Sequence, residues 1–322
     1  MTITFLGRLA RAGRHFLRKG VSPVTHPART AMGAGGCIDP SARLTVLDQE
    51  HAPNICISLG DNVYIGRQVE ITAAGGGAVM VGSDTSFQDG DIIYGDVRIG
   101  AHCLFGRQVF VASRGHNFRH RSPWLIRDQD AAVLASPPNA GQCTVIEDDC
   151  WIAQNVVVMP GVYVGRGAVL GANCVVTRDV GPYEVHAGVP NRKIGTRLDF
   201  RPPVQISALE DDHLPYFYRG FMLSQSALAL SRAQGLVKAH RQACLVLAAA
   251  PGGQLELRGT MAEGEINICV NGRAQSVHAK RDFVMHAAIP AATDSRPAPL
   301  KDHTIVTLTA QYAFSIAAAS VT

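Results

Sequence analysis

Aliphatic and aromatic residues fall at every sixth position over two long stretches of this chain. The first is Val81, Phe87, Ile93, Ile99, Phe105 and Val111; the second is Ile146, Ile152, Val158, Val164, Leu170 and Val176. A shorter stretch, Leu59, Ile65 and Ile71, precedes them. A glycine or another small or short polar residue often follows, as at Gly60, Gly66, Gly82, Gly100, Gly106, Ala153, Gly165 and Gly171. Four residues after each apolar position stands a second one, mostly small or β-branched. These are Thr85, Asp91, Val97, Cys103 and Val109, then Cys150, Val156, Val162, Ala168, Cys174 and Val180.

Such a period belongs neither to a helix face nor to an alternating strand. It predicts short flat strands joined by tight turns, three to a coil, stacked so that one apolar column runs along the axis of a solenoid. Two interruptions break the phase. Ala73–Ala78, with Gly75, Gly76 and Gly77, reads as a surface bulge. From Gly115 to Cys143 the chain leaves the period and carries His116, His120, Trp124, Pro123, Pro137, Pro138 and several arginines. A long insertion in a solenoid maps to one face, which is often the binding face.

The ends differ from the repeat. Residues 1–20 contain Arg8, Arg11, Arg14, Arg18 and Lys19 and no acid. With Phe5, Leu6, Leu9, Phe16 and Leu17 they suit a basic amphipathic helix, which would cap the solenoid, pack between subunits or lie on an anionic membrane. Past Leu198 the phase is lost. Arg201-Pro202-Pro203 begins a linker, and 215–235 reads as a helix stopped by Gly235. Strand-like runs follow at Ala243–Ala249, Gln254–Arg258, Glu265–Val270, Gln275–His278, Phe283–Ile289 and Thr304–Ala310, with a hairpin signal at Asn271-Gly272. The expected organisation is an N-terminal basic segment (1–36), a solenoid (37–198) with an active-site loop (115–143), a linker and helix (199–235) and a C-terminal β-rich, sandwich-like domain (236–322).

Composition narrows the function. Hydrophobic residues are 47% and charged residues 17%, the balance of a globular chain. A net charge of +4 makes no case for nucleic acid. No apolar run reaches bilayer length, and the N-terminus lacks the apolar core of a secretory signal. The expected location is the cytoplasm, with peripheral contact at the inner membrane face through residues 1–20. None of the eight cysteines forms a CxxC pair, so they read as reduced packing residues and not as zinc or redox ligands.

The segment from Cys150-Trp151-Ile152-Ala153-Gln154 through Lys193, with its exit Thr177–Ile194, strongly resembles the last coil of hexapeptide-repeat sugar O-acetyltransferases, the maltose, galactoside and surface-polysaccharide types included. The resemblance spans residues 38–198. It implies a left-handed parallel β-helix; period alone does not give that hand, and general crossover rules favour the right. It also implies an acetyl-CoA-dependent acyltransferase, with no metal, assembled as a trimer whose active sites lie between subunits.

Acetyl transfer to a hydroxyl needs a base, an oxyanion donor and a slot for the thioester. Imidazole is the natural base near neutral pH. His116, within Ser113-Arg114-Gly115-His116-Asn117, matches the family's catalytic histidine; His120 is its competitor. One coil earlier, Phe87-Gln88-Asp89-Gly90-Asp91 departs from the family's Asn-x-Asn, which implies a different acceptor geometry. Gln88, Asp89, Asp91 and Asp96 are the candidate acceptor contacts. Asp91 falls at an inward position, where a carboxylate is costly, so it faces the site, orients an imidazole, or marks a corner open to solvent. Trp151, by resemblance, lines the acceptor or acyl slot of a neighbouring subunit.

The resemblance further implies backbone contacts to CoA along Ala153, Gln154, Gly171 and Ala172, with an amide there serving the oxyanion. Thr177, Arg178, Arg192 and Lys193 would lie near the pantetheine and phosphates. A further family arginine is replaced here by Gly195, with Arg197 its substitute. The preferred acceptor is a sugar hydroxyl of a surface polysaccharide, as in capsule or lipopolysaccharide. Alternatives are N-acetylation of an amino sugar, antibiotic acetylation, a zinc carbonic-anhydrase-type solenoid using three histidines, and a non-catalytic glycan-binding scaffold.

Overall fold

The computed structural model describes residues 27–47, 53–119, 121–134, 143–291 and 297–322. The proposed basic helix over residues 1–20 and the competitor His120 lie outside them. Three parallel sheets enclose a triangular column. The first face stacks Thr30–Met32, Ile57–Leu59, Val79–Val81, Val97–Ile99, Thr144–Ile146 and Tyr163–Val164. The second stacks Cys37–Ile38, Tyr64–Ile65, Ser86–Phe87, Leu104–Phe105, Trp151–Ile152 and Val169–Leu170, and ends in Glu184–Ala187 and the antiparallel Arg192–Thr196. The third stacks Arg43–Val46, Glu70–Ala73, Ile92–Gly95, Phe110–Ala112, Val157–Val158 and Val175–Val176.

The six-residue series becomes the column. Every residue of the three apolar series is buried, and so is every residue of the second series. The edges carry the backbone strain of turning the chain within so few residues. At the edge from the first to the second face, Asn62, Asp84, His102 and Asp149 all take φ between 55° and 61°. Short polar side chains tolerate this left-handed region best. At Gly106 the reason for glycine is close approach, since a Cβ there would sit 2.5 Å from the Gln154 amide nitrogen of the next coil. The expected bulge at Ala73–Ala78 is present, and Gly75 (φ 65°) lets the Arg114 guanidinium lie against it.

Asp91 corrects one expectation. It is 0% exposed and points into the column, not toward an acceptor or an imidazole, and its corner is closed to solvent. Its Oδ1 accepts the Val109 amide at 2.8 Å, while its buried Oδ2 has no partner among the described residues. Burial pushes its pKa up to about 7, against the backbone amides that oppose the rise. The preceding corner of the same coil shows the satisfied solution. Thr85 accepts the Cys103 amide at 3.1 Å and donates to the Gly100 carbonyl at 2.9 Å.

Asp91→Thr should therefore reproduce that arrangement and stabilise the solenoid by about 1–3 kcal/mol at pH 8. The folded chain keeps this proton where an unfolded one, with a carboxyl pKa of about 3.9, releases it. Wild-type stability should fall as pH rises from about 4 to about 7, then level off. Urea unfolding at pH 4, 6 and 8 measures this; a variant no more stable than wild type at pH 8 would refute the reading.

Beyond the solenoid, seven strands form one antiparallel sheet. Gln254–Val270 pairs with both Phe314–Val321 and His303–Ala310, and Val237–Ala248 pairs with the same two, so the sheet closes around its own apolar core. The expected β-rich region thus has fewer, longer strands than its runs suggested, and Phe314–Val321 gave no such run. The expected helix at 215–235 is replaced by a 3-10 turn Asp211–Tyr216, a strand Arg219–Phe221 and a short helix Gln225–Arg232. Pro215 interrupts a helical ladder, Gly220 takes φ 75°, and Phe217, Tyr218 and Phe221 are buried. The expected linker also carries strand Gln205–Ser207, paired with the last strand.

The solenoid wall and this sheet share a buried polar bridge. The Arg166 amide donates to Tyr218 Oη at 3.1 Å, Tyr218 and Tyr163 hydroxyls lie 2.8 Å apart, and Tyr163 donates to Glu147 at 3.3 Å. Arg219 reaches Glu147 at 3.0 Å. The Arg166 guanidinium donates to Tyr183 Oη at 3.0 Å and to the Tyr218 carbonyl at 2.7 Å, and lies 3.5 Å from Asp148. Burial raises the Glu147 pKa against the pull of Arg219. None of the eight cysteines is in a disulfide; Cys56, Cys103, Cys150, Cys174 and Cys244 are buried. No described helix is long and apolar enough to cross a membrane.

Candidate functional site

The insertion leaves the solenoid where the third face turns toward the first, after Phe110–Ala112. Its exit is fixed by Ser113, buried, whose Oγ accepts the Asp96 amide at 2.6 Å; Gly95 (φ 104°) leaves room for that hydroxyl. The insertion then folds back through helix α1 (Ile126–Leu134). Gln129 on α1 is buried, accepting the Arg121 amide at 3.0 Å and donating to the Trp124 carbonyl at 3.0 Å.

One turn of α1 holds the carboxylate that matters most. Asp130 Oδ2 pairs with His116 Nδ1, and Asp130 Oδ1 accepts the Asn117 amide at 2.7 Å. These partners, the Asn117 amide first, hold the Asp130 carboxyl below its usual range. A carboxylate on Nδ1 favours the tautomer with its proton there, leaving the Nε2 lone pair free. The imidazole is 83% exposed, so Nε2 is open to a ligand. Sequence reasoning missed Asp130. It stands fourteen residues from His116, outside the repeat, and only folding of the insertion brings the two together.

The other expected residues divide between edges. Asp96, Thr177 and Arg178 lie on the same edge as His116, in preceding and following coils. Asp96 Oδ1 accepts the Ala78 amide at 3.3 Å, at the rim of the bulge. Gln88, Asp89, Ala153, Gln154, Gly171 and Ala172 lie on the edge from the second to the third face. Asp89 is engaged by Arg67 at 2.6 Å, with Arg107 at 3.9 Å. The Ala153 and Gly171 amides bond to Leu170 and His186 carbonyls, so neither is available to an oxyanion. The adjacent exposed Gln154 and Ala172 have no such backbone bond among the described residues. A single chain therefore does not bring the second-to-third edge up to His116.

Trp151 stands outward on the second face, 54% exposed beside Leu104 at 56%. They line a shallow cavity of about 410 Å³ with His102, Asp149, Val169 and Arg197. Arg197 is committed here, donating to the Gly167 carbonyl at 2.9 Å and to Asp149 at 3.2 Å, and so does not take the place of the family's missing phosphate arginine. Lys193 is held by Glu184 at 2.8 Å, and Glu184 also meets His186 at 2.9 Å; Arg192 is exposed on the closing strand. Asn191, buried, fixes the Thr177–Arg178 turn by accepting the Thr177 amide at 3.0 Å and donating to the Arg178 carbonyl at 3.3 Å. His102 pairs with Asp84 on a different edge from His116, so these two do not converge within one chain.

Comparison with known proteins gives one family profile, the bacterial transferase hexapeptide (six repeats), matching residues 143–178. A chloramphenicol acetyltransferase of Klebsiella aerogenes is 36% identical over 108 residues, covering 31% of this chain and 51% of that protein. The chain thus spans about half the length of the curated relatives it matches first. WbbJ of Escherichia coli (strain K12), assigned to lipopolysaccharide biosynthesis as an O-acetyl transferase, is 31% identical over 143 residues, covering 43% of this chain and 70% of WbbJ. Among solved structures, a hexapeptide-repeat acetyltransferase of Vibrio cholerae O1 biovar eltor, complexed with acetyl coenzyme A, is 22% identical with a TM-score of 0.32, covering 52% of this chain and 70% of that one.

Proposed function

Because the chain belongs to the hexapeptide-repeat acetyltransferase family, whose solenoid is the left-handed parallel β-helix, we propose that it transfers acetyl from acetyl-CoA to a sugar hydroxyl of a surface polysaccharide. The observation that carries this reading is the His116–Asp130 pair at the mouth of the insertion. The acceptor hydroxyl gives its proton to His116 Nε2 as its oxygen attacks the thioester carbonyl. Asp130 keeps the ring in the required tautomer and balances the imidazolium that forms. An amide of Gln154 or Ala172 serves the tetrahedral oxyanion. Collapse breaks the C–S bond, and the proton passes from His116 to the departing CoA sulfur.

Thr177, Arg178 and Arg192 serve the pantetheine and phosphates. Gln88, Asp89, Asp96 and Trp151 remain the acceptor-side residues, and Asp91 is withdrawn from that set. The division of these residues between two edges supports a trimer, in which one copy's His116 edge meets a neighbour's Gln154 edge. The relation to WbbJ favours O-acetylation of a glycan; the chloramphenicol acetyltransferases favour the antibiotic reading. Acetyl-CoA consumption decides between them, assayed against lipopolysaccharide, capsule sugars and chloramphenicol. Transfer to none of the glycans, or to chloramphenicol alone, would refute the glycan reading. Light scattering should give a trimer, and an active monomer would refute the shared site.

A further inference from the structure

A chain of polar contacts runs from the closing hairpin to the Thr177–Arg178 turn. Glu184 Oε1 accepts Lys193 Nζ at 2.8 Å; its Oε2 accepts the Gly181 amide at 2.8 Å and meets His186 Nε2 at 2.9 Å. His186 Nδ1 in turn lies 3.0 Å from Asn191 Nδ2. Asn191 then accepts the Thr177 amide at 3.0 Å and donates to the Arg178 carbonyl at 3.3 Å. His186 is 4% exposed and Asn191 0%, so their contacts are completed inside one chain, without a neighbouring copy.

Only one arrangement of protons satisfies both ends of this relay. Burial works against the charge on Glu184, but Lys193, His186 and the Gly181 amide outweigh it and hold the carboxyl below its usual range, so Glu184 only accepts. His186 Nε2 therefore carries a proton. At the other end the Thr177 amide only donates, which turns Asn191 Oδ1 toward it and Nδ2 toward the ring. A proton on His186 Nδ1 would set two donors face to face, so Nδ1 stays bare and accepts. Asn191 thus draws the Thr177 amide and the Arg178 carbonyl inward, and both residues are exposed on the His116 edge. Asp179 ties the far end of the turn by accepting the Tyr163 amide at 2.8 Å. A reversed Asn191 amide would set donor against donor at Thr177 and acceptor against acceptor at Arg178. We propose that Glu184, His186 and Asn191 are positioning residues for CoA, holding the Thr177–Arg178 turn in the form that receives the pantetheine arm. This role rests on the acetyl-CoA reading of that turn. Lys193 then serves the relay and not the CoA phosphates.

Calorimetry with CoA alone tests this, since it needs no acceptor. His186→Leu and Asn191→Leu should each weaken CoA binding roughly tenfold, the worth of one or two hydrogen bonds, while His186→Gln should stay within about twofold of wild type. Glutamine carries an acceptor and a donor on one group and can take both roles of the ring. In turnover, KM for acetyl-CoA should rise in the two leucine variants with kcat held. NMR of wild type with isotope-labelled histidine should show a protonated Nε2 and a bare Nδ1 in the ring whose signals His186→Gln removes. A proton on that Nδ1 would overturn the proposal even if the leucine variants fail to fold. CoA binding undiminished in both leucine variants would overturn it alone, and so would His186→Gln binding as weakly as His186→Leu. Wild type that binds no CoA would overturn it together with the acetyl-CoA reading.

Discussion

His116→Ala should lower kcat for acetyl transfer by roughly a hundred- to ten-thousand-fold, the usual worth of a positioned general base. KM for acetyl-CoA should change little, because the imidazole acts on the acceptor proton and not on the CoA arm. Asp130→Asn should follow it part of the way. Its amide can donate to Nδ1 where the carboxylate only accepts, which favours the tautomer with Nε2 protonated and useless as a base. We expect kcat to fall with KM held, and Asp130→Glu to recover part of the loss; a merely structural Asp130 would instead show up as lost stability in all variants. Steady-state kinetics on the best acceptor, with thermal melting as control, reads both. Activity undiminished in His116→Ala would remove the proposed mechanism.

Arg166→Met should destabilise the protein by about 3–5 kcal/mol, the range for removing one partner of a buried ion pair. Arg166 is 6% exposed and joins Tyr183, the Tyr218 carbonyl and Asp148, itself 3% exposed. Methionine fills similar volume but leaves the Tyr218 carbonyl and the Asp148 carboxylate short of a donor. Because Arg166 belongs to the solenoid and Tyr218 to the closed sheet, the loss should fall on their junction. Two effects should follow in urea: an earlier transition, and faster proteolytic cutting around residues 199–204. Across the same junction, a double-mutant cycle of Arg219→Met with Glu147→Gln, whose side chains pair at 3.0 Å, should show coupling above about 0.5 kcal/mol. Strict additivity, with a single unchanged transition, would mean that the bridge does not couple the two parts.

The contrast between these two sites explains what pattern reveals. A six-residue period is a statement about stacking, since each coil repeats the one beneath it. The buried column, its three series and the place where the insertion leaves it all follow from residues a fixed step apart. His116 was legible because it stands where an unbroken run ends and matches the catalytic histidine of the family that the sequence resembles. Asp91 was legible only as an oddity; whether its carboxylate turned in or out depends on the three-dimensional closure of that corner, which proved complete.

Asp130 carries no periodic mark, and the six-residue period gives no sign that Glu147 and Asp148 are buried. They are buried because Arg219, Arg166, Tyr163 and Tyr218 arrive from elsewhere in the chain. The C-terminal strands behave likewise. Their alternation gave strands, but closure of the sheet requires pairing between residues far apart, such as Leu255 with Val321. The sequence alone determined what repeats locally: the solenoid, its inward faces and the position of the candidate base. Tertiary structure decided which groups meet across the breaks in that repeat, because hydrogen bonds and charge pairs there join residues with no common spacing.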